Sequence, residues 1–127
     1  MRQPLPVVLM SSALIAMSGA ATAHHSFAMF DNENQIELAG IVQEFKYTSP
    51  HTFILLLVKG QDGSTTVWNL EGATPGALAR DGWTSKSLKA GDEVIMTIAP
   101  LRSGAPGGAW TPQGTKFRDG KAIAINP

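Results

Sequence analysis

The chain has 127 residues with ten Lys and Arg balancing ten Asp and Glu, and it contains no cysteine. Neutrality argues against nucleic acid as a partner, because phosphate binding needs a basic surface. The missing thiols exclude a disulfide framework, thiolate metal sites and cysteine nucleophiles together.

The first thirty residues read as an export signal. Arg2 gives the positive n-region, Val7 to Met17 a short apolar h-region, and Ala21-Thr22-Ala23 a small-residue cleavage site. Ser11, Ser12, Ser18 and Gly19 dilute the segment, so a cleaved peptide of residues 1–23 fits better than a membrane-spanning helix, which needs about 20 apolar residues. No Cys follows the h-region to carry a lipid. The expectation is a periplasmic or secreted protein, free of the membrane after cleavage. Its mature part, residues 24–127, is long enough for a single small domain with one core, preceded by an arm over 24–34.

Strand patterns dominate the mature part. A long first strand is expected from Gln35 to Tyr47, with Ile36, Leu38 and Val42 in one alternating phase and Phe45 and Tyr47 in the other. The change of phase predicts a bulge or bend, and Gly40 permits sharp coiling. Ser49-Pro50 ends this strand. The second, His51 to Val58, is apolar on both faces, so something has to cover its outer side: the arm segment Ser26 to Phe30 or a second subunit. The oligomeric state stays open. After an Asp62-Gly63 turn comes a third strand, Thr65 to Leu70.

Thr74-Pro75 reads as an N-cap with Pro at the first helical position, and Gly82 as a stop, which bounds a short helix over Pro75 to Asp81. Gly91-Asp92 opens a fourth strand in which Val94, Met96 and Ile98 alternate. Ser103 to Gly114, rich in Gly and Pro, is expected to be a long loop carrying Trp110. Lys116 to Arg118, an Asp119-Gly120 turn and Ala122 to Asn126 close the chain. Three strands, a helix and two more strands is the element order of an OB-fold, so the fold class is all-β, a small OB-like five-stranded barrel. A small open sandwich is the rival.

The chemistry rests on three histidines, His24, His25 and His51. Cleavage after Ala23 frees the α-amine of His24, which with its own Nδ1 closes a chelate ring on a metal ion. A further imidazole, by preference from His51, completes a three-nitrogen set that suits Cu(II). Cleavage one residue earlier leaves Ala23-His24-His25, where amine, backbone amides and imidazole bind Cu(II) or Ni(II) in a square plane. Copper is therefore the expected cofactor or cargo, with His24, His25 and His51 as metal residues. The geometry sets a condition: Ile36 and His51 lie at opposite ends of a strand about 35 Å long at about 3.3 Å per residue, so the arm has to fold back. In the competing reading His24 and His25 are a frayed tail and His51 caps a strand.

Other constellations are weaker. Glu44 and Glu71 as a catalytic carboxylate pair, and a Ser-His-Asp triad, find no supporting pattern, so no enzyme activity is assigned. Trp68 and Trp83 read as core or core-edge residues. Tyr47 and the loop residue Trp110 are candidate ligand-binding aromatics. They would serve an OB-type module that docks a peptide, glycan or protein without metal.

Together His24-His25-Ser26-Phe27-Ala28, Gly40-x-Val42-x-x-Phe45, Pro50-His51-Thr52, Trp68-x-Leu70-Glu71-Gly72, Leu78-x-Arg80-x-Gly82-Trp83, Leu88-Lys89-x-Gly91-Asp92 and Pro100-Leu101-Arg102 resemble domain-of-unknown-function family 6152. The resemblance covers essentially the whole mature chain and implies a small exported bacterial all-β protein, without supplying a reaction. The family pattern usually has Trp at the position of Tyr47, Asn at that of Ser49 and often His at that of Ala99. His24, His25 and His51 fit it, and Ala99 does not.

Overall fold

The computed structural model describes residues 25–123, with side chains from Phe27 onward. The expected export signal over residues 1–23, His24, the side chains of His25 and Ser26, and residues 124–127 lie outside the described residues.

Five strands close into a barrel in the order β1-β2-β3-β5-β4. They are β1 (Ile36–Lys46), β2 (Phe53–Lys59), β3 (Thr65–Glu71), β4 (Glu93–Pro100) and β5 (Gly107–Phe117). A short helix, α1 (His25–Ala28), precedes them, and α2 (Pro75–Arg80) lies between β3 and β4. All pairings are antiparallel except β3 with β5. This is the expected OB-like barrel.

β1 serves both halves of the barrel. Its residues 36–41 pair with β4 and its residues 41–46 with β2. The register shifts between Val42 and Glu44, which leaves Gln43 as the extra residue of a bulge. That shift turns Phe45, like Leu38 and Val42, toward the core, as the change of phase predicts. Gly40 is required by close approach: a Cβ there would lie 2.6 Å from Leu57 O and 2.7 Å from Leu56 Cγ. The strand can coil tightly against β2 only without a side chain.

The core is built from alternate residues, with Ile54, Leu56, Leu70, Val94, Met96 and Ile98 at or near zero exposure. α2 adds Leu78, also fully buried. Thr74 caps that helix, its Oγ1 accepting from Ala77 N at 3.2 Å, and Gly82 at φ +82° lets the chain leave it.

Two expectations are corrected. The segment read as a loop over 103–114 is largely β5. Its glycines fit close packing: a Cβ on Gly108 would lie 2.5 Å from Ala99 O, and one on Gly114 2.7 Å from Thr97 O. Pro112 is accommodated where the β4–β5 register skips, Met96 pairing with Thr115 and Ile98 with Trp110, so no ladder bond is asked of it. Trp110 is accordingly a core residue, 3% exposed, with its ring 5.2 Å from Trp83 and 6.0 Å from Phe45.

The second correction concerns the arm. It folds back, but along the end of β4 and not over β2. Phe30 bridges Leu101, Asp31 N donates to Pro100 O at 2.8 Å, and Arg102 N donates to Met29 O at 2.8 Å. Backbone groups at 100–102 need partners, and the arm supplies them. The outward residues Phe53, Leu55 and Leu57 of β2 stay half-buried beside their cross-strand neighbours, Ile41 and Val67 among them.

Candidate functional site

His51 lies in the link between β1 and β2, just ahead of the strand it was expected to begin. The Ser49–Pro50 peptide in this link is cis. Thr52 is fully buried, and its Oγ1 donates to Ala73 O at 2.9 Å. Its backbone is tied on both sides, Thr52 N to Ala73 O at 3.1 Å and Gly72 N to Thr52 O at 2.8 Å. With Thr52 pointing inward, its neighbour His51 faces outward. The His51 imidazole is 42% exposed, and its Nδ1 is 3.1 Å from Gly72 O and 3.5 Å from Glu71 Oε1.

The returning arm meets this histidine. Phe27 and Phe30 share with His51, Glu71, Gly72 and Trp110 the walls of a cavity of about 220 Å³. Phe30 is buried, and Phe27 stands 73% exposed at the rim. Arg102 clamps the arm, its Nε donating to Ala28 O at 3.2 Å and its Nη1 lying 3.7 Å from Asp31 Oδ1. Asp31 in turn accepts from Asn34 Nδ2 at 3.0 Å and from the backbone N–H groups of Asn34 and Glu33. These bonds hold its carboxyl below the usual carboxylate range, with the Asn34 side chain the largest cause and the Arg102 charge assisting.

The structure thus brings the arm to His51. Among the described residues no three His, Cys, Asp or Glu side chains are grouped to hold a metal ion. Tyr47 is half-buried, with its hydroxyl donating to Pro75 O at 2.8 Å. Trp110 forms part of the cavity wall but exposes almost nothing, so it offers no open stacking face. Glu44 lies two strands away from Glu71, 3.8 Å from Lys46, and the two carboxylates form no pair. Asp31 and Arg102 carry no site signal of their own in the sequence, and Glu71 enters there only as half of a carboxylate pair with Glu44. Glu71-Gly72 and Pro100-Leu101-Arg102 stand out as motifs in the sequence, yet only folding sets them beside His51 and the arm. A larger cavity, about 460 Å³ between Asp81, Trp83, Lys116 and Ile123, holds no histidine.

Barrel and site together define an OB-like β-barrel protein with a His–Glu pair beneath an N-terminal arm. The chain belongs to the family of unknown function DUF6152, which it matches over residues 12–111. That span includes the arm, His51, Glu71 and Trp110. No curated protein and no solved structure matches the chain.

Proposed function

We propose that the protein is exported, that cleavage after Ala23 makes His24 its amino terminus, and that it binds copper between this terminus, His25 and His51. It then acts as a periplasmic copper carrier or buffer. The observation that carries the reading is the shared cavity: Phe27 and His51 line one space of about 220 Å³. His24 is three residues before Phe27, a span of at most about 11 Å of extended chain. The reading requires the α-amine and imidazole of His24 to come within this span of His51. Nitrogen donors of this kind suit Cu(II).

The test is amino-terminal sequencing of the secreted protein with metal analysis. The reading expects His24 at the terminus and copper at one equivalent. An Ala23 terminus with copper bound would instead favour the square-planar site of Ala23-His24-His25, and a metal-free protein that takes up no added copper would refute both.

One observation favours a second reading, a metal-free module for a peptide, glycan or protein. Beside the His51 cavity lies an uncharged cleft of about 350 Å³ that includes Asn32, Gln35, Thr111 and Gln113. Its amides and hydroxyls suit a neutral polar ligand. Loss of such binding on Gln113→Ala, with no copper uptake, would support it.

A further inference from the structure

The contacts of His51 decide which of its nitrogens is free. A carbonyl oxygen only accepts hydrogen bonds, so Nδ1, 3.1 Å from Gly72 O, carries the hydrogen. A neutral imidazole has a single N–H, which leaves the lone pair on Nε2. Glu71 Oε1 lies 3.5 Å from the same Nδ1, too far for a strong hydrogen bond but close enough to set a negative charge on the N–H side of the ring.

The anchor is tied into the barrel by hydrogen bonds. Gly72 N donates to Thr52 O, and both Thr52 N and Thr52 Oγ1 donate to Ala73 O, so the residues beside His51 and the carbonyl it binds belong to one ladder. A histidine whose Nδ1–H is held by a backbone carbonyl or carboxylate, with Nε2 turned away, has the arrangement that orients metal-ligating imidazoles and raises their basicity.

We infer that His51 is a preorganised Nε2 ligand and that Glu71 is its positioning residue, acting through the ring and not as a donor to the metal. This rests on the copper reading above. It adds which nitrogen binds and which anion tunes it. Glu71 directs the N–H toward the barrel and strengthens Nε2 as a donor to a dication, while Gly72 O keeps the tautomer when that charge is absent.

Two measurements test this on the chain beginning at His24. Long-range proton–nitrogen spectra of the metal-free protein, recorded near pH 8, are expected to show His51 with Nδ1 protonated. Protonation on Nε2 overturns the assignment. Copper titration of Glu71→Gln, which keeps the side chain's size and removes its charge, is expected to show about tenfold weaker affinity with the same tautomer. Unchanged affinity overturns the positioning role of Glu71. If the unsubstituted protein binds no copper, the functional reading fails, and the tautomer still decides the His51 assignment because it is read without metal.

Discussion

The Trp110 indole packs directly on the backbone of Gly72: a Cβ at position 72 would lie 2.5 Å from Trp110 Cε2 and 2.7 Å from Thr52 Oγ1. Both residues line the His51 cavity, so this contact fixes its floor. Gly72→Ala is expected to destabilise the barrel by about 1–3 kcal/mol through overpacking, read as a lower denaturant midpoint with an unchanged slope. Trp110 Nε1 is buried without a partner among the described residues. An unmet donor of this kind is costly, so Trp110→Phe should recover part of the loss in the Gly72→Ala background, and a double-mutant cycle should return a non-zero coupling. Additive effects would contradict the contact.

Tyr47 holds α2 to the barrel through its hydroxyl on Pro75 O. Tyr47→Phe is expected to cost about 0.5–1.5 kcal/mol in chemical denaturation, the net worth of a typical hydrogen bond. Copper affinity should not move. A stability-neutral substitution that weakened ligand binding would instead make Tyr47 a binding residue.

Asp31 makes the arm sensitive to acid. Its folded pKa lies below the ordinary value of 3.8, so its contribution is present above that value and is lost as pH falls through the lower folded one. Amide relaxation at Met29 to Asp31 is expected to report an ordered arm at pH 5 and a loosened one well below pH 4. Asp31→Asn should loosen the arm at both pH values and flatten the profile. An arm that stays ordered in acid, or in Arg102→Ala, would contradict the clamp.

The parts legible in the sequence were those set by local rules. The phase change between Val42 and Phe45 announced the bulge, Thr74-Pro75 and Gly82 bounded α2, and the order of elements gave the barrel. β5 was hidden because Gly107, Gly108 and Gly114 look like loop residues, whereas each meets a neighbouring strand in the fold too closely for a side chain. That close approach is a tertiary fact without a local signal. The arm was expected to return, but its track was set by the backbone groups of 100–102, far away in sequence. The His51 site was half legible for the same reason: the histidine stood out by scarcity, whereas its acceptor Gly72 O is 21 residues further on.

On the proposed reading, the freed amine of His24 and the imidazole of His51 hold one copper ion. Cu(II) titration should be compared among the chain beginning at His24, the same chain with one added residue at its terminus, and His51→Ala. One tight equivalent is expected for the first, and at least about hundredfold weaker binding for the other two, roughly 3 kcal/mol of lost affinity. Equal affinity in all three would contradict it.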